Sequence, residues 1–505
     1  MTKQPQIRPP GGLSVTIAGL TGPQAELHLT ADLQTLRELA GGLDRLEARL
    51  DASSIPKAVT QRGYFTPDED DRVRQGMLVY RNCRLAAYEI ILRYRDYPSV
   101  DSPSCRLRCF LLAFGAALVL YAKSLKIIDF AEHVPLLRAK INEPDCKYDL
   151  PAGFFDDVLV GYSRLCNYQS VLRADAFWRA HRREAHTLAA EVGGDWVWLL
   201  DLIRRQRRAV HRQLLHVLWQ RLRHDWRAFC QTTLLPFRHA RHGLESLLGD
   251  RLADAQVTGP ATHGITSAML ASLRPRLQPG DVLLVRDDGR LTAAILPGFW
   301  THAALFLGTR SDLEGLGLKT HPQVVRNWQA IPENCGPMGL VIEALFPCVQ
   351  INPLEKCLQV DHLVVLRPSL PTTEIASAIG EAIGHLGKPY DFEFDFNNSS
   401  RIVCTELVYR SYHNRGSMRF SLTKRLGRFT LTGDDILAYA LDGLGESDAA
   451  AKIGPFQPLA LLLKRRDGQP HAAPPERILP LLRRIRRGWR PARKLKLRAV
   501  TPQAA

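Results

Sequence analysis

Two hydrophobic rhythms divide this chain. In the first half the apolar residues recur at helical spacing. Leu33, Leu36, Leu43, Leu46 and Leu50 form one stripe, which predicts an amphipathic helix over 33–50 with a soft point at Gly41-Gly42. Residues 1–30 are rich in Pro and Gly and predict a flexible N-terminus. Thr66-Pro67-Asp68-Glu69 combines a Thr cap, a Pro in the first position and a carboxylate three residues after the cap, so a helix is expected from there to about Arg95. Pro103 is expected to break the chain, with further helices around 126–140, 154–190 and 195–230. After Gly259-Pro260 and Gly264 the rhythm changes to short β-rich runs, Val282–Val285, Ala303–Leu307, Leu340–Phe346 and Leu363–Leu366, with helical segments at Thr373–Leu386 and Val403–Tyr412. This organisation predicts a helical domain over 31–255, a linker over 256–269, an α+β domain over 270–445, and a basic, partly disordered extension over 446–505.

The run Cys109–Ala122, flanked by Arg108 and Lys123, has an apolar stretch shorter than the ~20 residues a spanning helix needs. A buried core helix fits it better than a membrane-dipping segment. The N-terminus shows no apolar region of the secretory type, so a cytoplasmic protein is expected, peripheral at the inner membrane surface if it meets a membrane at all. Ten cysteines without a CxxC pair point to a reducing compartment with neither a disulfide framework nor a zinc site.

A formal net charge of +16 favours polyanionic partners, whether anionic lipid, nucleic acid or cell-wall polymer. Two segments carry much of it. Between Trp196 and Arg241, Trp196, Trp198, Trp219 and Trp226 interleave with arginines such as Arg204, Arg207, Arg221 and Arg227. That pattern suits a membrane interface or nucleic acid, and equally a bundle helix whose basic face is solvated. No helix-turn-helix, zinc-finger or RNA-binding signature accompanies it, so nucleic acid is the less expected partner. Near the C-terminus Arg483, Arg484, Arg486 and Arg487 open a polybasic tail that could sit on an anionic membrane surface or remain solvated.

Three polar residues interrupt apolar runs of the β-rich half. His302 begins a strand in Thr-His-Ala-Ala-Leu-Phe-Leu-Gly, where a hydrogen-bonded structural histidine is the common alternative. Glu343 lies in Leu-Val-Ile-Glu-Ala-Leu-Phe, where a buried carboxylate needs a partner, either an arginine or an imidazolium. Cys404 falls in the first turn of a helix that Ser399 or Ser400 could cap. There the unpaired N–H groups and the helix dipole favour a thiolate, and the same N–H groups could hold an oxyanion. A cysteine nucleophile, a histidine base and a carboxylate that orients it divide the labour of thiol acyl transfer.

These residues also carry a resemblance. Leu277-Gln278-Pro279-Gly280-Asp281, Thr301–Gly308, Val341-Ile342-Glu343-Ala344, Gly387-Lys388-Pro389-Tyr390-Asp391 and Val403–Val408 look, in that order, like the motifs of the permuted papain-like amidases, the YiiX/YaeF-type cysteine hydrolases of the NlpC-like superfamily. Histidine first and cysteine last is the reverse of ordinary papain-like order. The resemblance implies a circularly permuted papain-like α+β domain over 270–445 behind a mostly α-helical domain. It assigns Cys404 as nucleophile, His302 as base and Glu343 as the residue that orients the base. Tyr390 and Thr405 are carried over to the substrate or oxyanion site; a packing role under the loop is the alternative for Tyr390, and Thr405 stands where the family more often has serine. Glu406 is expected to make a structural contact. The implied reaction is hydrolysis of an amide in a peptide, N-acyl amino acid or lipid amide through a Cys404 thioester, with no metal or organic cofactor. Two other readings stay open: acyl transfer of the lecithin–retinol acyltransferase kind, and a non-catalytic basic membrane-binding module.

Overall fold

The computed structural model describes residues 16–17, 22–163, 165–212, 264–288, 298–333, 336–392, 394–425, 427–444, 454–465 and 467–488. The chain separates into two compact units: Met1–Phe65 with Glu69–Leu235, and Pro236–Ala505 with Thr66–Asp68. Trp219, Trp226, Arg221, Arg227, most of the expected linker and the tail beyond Gly488 lie outside the described residues.

The first unit is helical: α1 (Gly22–Asp51), α2 (Ile55–Arg62), α3 (Pro67–Arg93), α4 (Pro103–Glu132), α5 (Pro135–Asn142), α6 (Phe154–Ser163), α7 (Leu165–Val192) and α8 (Asp195–Arg212). Helix α1 starts at Gly22, inside the stretch expected to be flexible, because Ala25 and Leu29 extend the buried stripe of Leu33, Leu36, Leu43 and Leu46. It runs unbroken through Gly41-Gly42. Pro103 opens α4 rather than breaking the chain: it occupies the first turn, where its missing N–H costs nothing, and Ser102 caps the helix by accepting from the Cys105 N–H.

Helix α4 is therefore 30 residues long, well beyond its apolar run, and long and apolar enough to cross a membrane. Its most apolar window is 83% buried within the protein, packed against α1, α5, α6, α7 and α8. Gly115 permits a close approach to α8, since a Cβ there would lie 2.7 Å from Leu199 Cδ1. In the described part of the Trp/Arg segment, Trp196, Leu199, Leu202 and Ile203 are buried in this core while Arg204, Arg205 and Arg208 face solvent. That is the arrangement of a bundle helix with a solvated basic face.

The second unit is α+β. Helix α9 (Ser267–Leu273) precedes a seven-stranded sheet of β1 (Val282–Arg286), β2 (His302–Gly308), β3 (Leu340–Ala344), β4 (Val349–Pro353), β5 (His362–Pro368), β8 (Phe456–Lys464) and β9 (Pro470–Ala472). The order is β4-β3-β2-β1-β5-β8-β9, with every neighbour antiparallel. A small hairpin, β6 (Thr423–Arg425) and β7 (Arg428–Thr430), stands apart from it. The helices are α10 (Arg310–Gly315), α11 (Leu354–Cys357), α12 (Thr372–Gly384), α13 (Cys404–Tyr412), α14 (Gly433–Leu444) and α15 (Pro475–Arg486).

The sheet reaches past residue 445. Strand β8 pairs with β5 along its length, and α15 buries Ile478, Leu482 and Ile485. Arg483 of α15 is half-buried and Arg486 pairs with Asp442, while Arg484, Arg486 and Arg487 are exposed.

Candidate active site

Strand register brings the first two site residues together. Leu305 faces Ile342 across β2 and β3, so His302 and Glu343 become diagonal neighbours on one face of an antiparallel pair, within reach of long side chains. His302 Nε2 lies 2.7 Å from Glu343 Oε2. On the other side of β3, Glu343 pairs with Gln350 of β4, which makes Asn352 its second diagonal neighbour. Asn352 Nδ2 donates to Glu343 Oε1 at 2.9 Å, and Lys356 Nζ donates to Asn352 Oδ1 at 3.1 Å, which fixes the amide with its N–H groups toward the carboxylate. Glu343 is 2% exposed. Burial alone would raise its pKa, but hydrogen bonds from His302, Asn352 and the Cys357 thiol, with the imidazolium charge, outweigh burial and hold it below the ordinary carboxylate value.

Cys404 is the first residue of α13. The residue before the helix is Val403, in extended conformation and with no side-chain cap, not Ser399 or Ser400. Those serines are drawn into the preceding turn, where Asn398 Oδ1 accepts from the Ser400 N–H and hydroxyl and Ser399 O accepts from buried Lys388. The first-turn N–H groups of α13 therefore face no competing side-chain cap. The Cys404 sulfur hydrogen-bonds to the His302 ring and accepts from the Ala303 and Thr405 N–H groups. Since Nε2 serves Glu343, Nδ1 serves the sulfur.

The electrostatics follow from these contacts. Burial would keep Cys404 a neutral thiol, but the imidazolium and the two backbone donors outweigh it and lower the pKa. Burial likewise opposes protonation of His302, yet the Cys404 charge, and after it Glu343, pushes the imidazole up to about 10. The two groups titrate as a pair whose favoured state is thiolate beside imidazolium. The cysteine is almost covered, while the imidazole side chain keeps 20% of its surface open, so the site is reachable at the histidine.

The loop motifs hold this geometry. Residues 389–391 zip onto the segment before α13: Ile402 N donates to Pro389 O at 2.9 Å and Asp391 N to Ile402 O at 3.2 Å. Tyr390 is half-buried among Phe392 and Phe394, and burial followed by the nearby Cys404 and Asp391 charges drives its pKa well above the ordinary phenol value. It is thus a neutral O–H donor close enough to the sulfur to feel its charge. Thr405 is buried in the first turn of α13, and its N–H is the group that reaches the sulfur. Glu406 forms a buried ion pair with Arg410 at 2.8 Å within the same helix. Gly280 of the Pro-Gly-Asp run has φ +93° and accepts the Tyr412 hydroxyl at its carbonyl, tying the far end of α13 to the start of β1.

The chain entering β2 is held by Asp434 at the start of α14, whose carboxylate accepts from Phe299 N at 2.7 Å and Trp300 N at 3.1 Å. Asn352, Lys356 and Asp434 gave no sequence signal of their own, since each acts through a neighbour that only the strand register reveals. Among the described residues no group of three or more His, Cys, Asp or Glu side chains is arranged to hold a metal ion.

Comparison with known proteins covers this same region. Residues 276–450 match the family described as permuted papain-like amidase enzyme, YaeF/YiiX, C92 family. The uncharacterised protein YiiX of Escherichia coli (strain K12) is 28% identical over 142 residues, which cover 27% of this chain and 68% of the relative. No solved structure matches. Over residues 276–450 this chain is therefore similar to the permuted papain-like amidases of the YaeF/YiiX type, a family that supports a cysteine hydrolase of the papain-like kind.

Proposed function

We propose that this protein hydrolyses an amide bond, in a peptide, an N-acyl amino acid or a lipid amide, with Cys404 as nucleophile, His302 as acid and base, and Glu343 as the residue that orients the imidazole. The observation that carries the reading is the continuous hydrogen-bonded line from the Cys404 sulfur through His302 to Glu343 and Asn352. The thiolate attacks the carbonyl carbon, and the oxyanion is stabilised by N–H groups at the start of α13 with the Tyr390 hydroxyl as a further donor. His302 then gives its proton to the leaving amine. The charge that contributes most to holding that proton is the thiolate itself. Once the C–S bond forms, that charge is gone from sulfur and the imidazolium becomes a stronger acid when the leaving group needs it. Water, deprotonated by the now neutral imidazole, hydrolyses the thioester and restores the ion pair.

The test is a panel of peptide, N-acyl amino acid and lipid-amide substrates offered to the wild-type protein and to Cys404→Ala. Release of amine and free acid by the wild type alone supports the reading. Equal release by Cys404→Ala defeats it. Adding a competing alcohol or amine acceptor separates hydrolysis from transfer, since transfer would divert the acyl group to the acceptor.

A further inference from the structure

The helical unit contains a cavity of about 920 Å³ that the proposed reaction does not use, within the roughly 300–1,000 Å³ range of small-molecule sites. Its walls come from α1, α2, α3, α4, α5 and α6. The interior is apolar, with Leu46, Met77, Ile127, Phe130, Ile141 and Phe154 on its surface. Gly42 of α1 and Gly76 of α3 widen it, since neither presents a side chain to the space.

The charged residues along its lining are of one sign. Arg45 and Arg49, one turn apart on α1, and Arg72 on α3 line it together with Ser53, Ser54 and Gln75, and no Asp or Glu does so. The three arginines are exposed, whereas Leu46, Met77 and Phe154 are buried, so charge sits at the mouth and hydrocarbon at the base. Of the acidic residues of α1, Asp44 and Glu47 are engaged by Lys123.

We infer that this cavity binds a long-chain carboxylate, a free fatty acid, with its head on the arginine mouth and its chain along the apolar interior. The arginine fork matches a carboxylate in two-point geometry, and the flexible Met77 side chain adapts to a chain of variable bend. A neutral chain of the same length would bury its hydrocarbon but forfeit the head-group contacts. A short carboxylate would keep the head and lose the burial, about 0.8 kcal/mol for each CH₂ left in water.

Titration of the full-length protein with cis-parinarate, followed by displacement with oleate, tests this. One equivalent is expected to bind, with oleyl alcohol at least tenfold weaker than oleate. Gly76→Leu directs a side chain into the cavity from a position where a Cβ meets only Leu46 Cδ1, at an ordinary contact distance of 3.5 Å. Binding in that variant is expected to fall tenfold or more at unchanged Tm. Arg45→Ala with Arg49→Ala changes only exposed positions and should weaken oleate about tenfold while leaving oleyl alcohol unchanged. Cys404→Ala should bind as the wild type does, which separates this site from the thiol. No saturable binding of oleate, equal affinity for oleate and its alcohol, or oleate affinity indifferent to both cavity variants would overturn the inference.

Discussion

At the scale of residues, the proposed reaction rests on a proton that has moved from sulfur to nitrogen before any substrate arrives. The ion pair needs Cys404 deprotonated and His302 protonated. Its population rises with pH through the Cys404 pKa, which lies below the ordinary 9.0, and falls as His302 loses its proton near 10. A kcat/KM profile should therefore show an acid limb below the thiol range, a plateau, and an alkaline limb near 10. Glu343→Gln removes a charge that supports the imidazolium, so the alkaline limb should shift to lower pH and kcat should drop by on the order of 10²-fold. Asn352→Ala leaves Glu343 Oε1 without that amide donor, and a kcat loss of roughly tenfold with KM unchanged is expected. The three residues proposed to react stood out in the sequence because each is polar or nucleophilic within an apolar run. Asn352 did not, because in the short alternating run Val-Gln-Ile-Asn it reads as one more polar position, and only the register with Glu343 sets it apart.

At the scale of elements, α13 positions the sulfur and is itself held at both ends. The hydrogen bonds of residues 389–391 fix its entry, and the Tyr412 hydroxyl anchors its exit on Gly280. The Glu406–Arg410 pair inside it is a buried pair, for which losing one partner costs far more than the pair contributes. Arg410→Ala should lose about 3–5 kcal/mol of stability, read as a lowered denaturation midpoint, while replacing both residues with methionine should recover most of that loss. Element types were readable from periodicity, and the boundaries failed for local reasons. Ser399 and Ser400 resemble caps but are consumed by an Asn398 turn, and Pro103 resembles a breaker but begins a helix. Strand β8 went unseen because its opening residues, Phe-Gln-Pro, look like a loop, and only pairing with β5 makes them a strand.

At the scale of the whole molecule, the net charge of +16 attracts anions toward every site the protein carries. For anionic amide substrates kcat/KM should fall as salt rises from about 0.05 to 0.5 M, while neutral analogues of the same length should change little. The permuted order of histidine and cysteine made the second unit recognisable. Nothing comparable marked the helical unit, whose stripes specify burial but not the cavity left between helices. The central claim, that Cys404 rests as a thiolate paired with His302, can be tested on the intact chain with all ten cysteines competing. Limiting iodoacetamide is applied from about pH 6 to pH 9 to wild type and His302→Ala, and each cysteine is quantified by peptide mass. The prediction is that Cys404 is alkylated faster than exposed Cys146 at the acid end and rises less steeply with pH, and that His302→Ala returns it to the steeper profile of an ordinary thiol. A Cys404 that follows the same pH slope as Cys146 and ignores the loss of His302 would contradict the account.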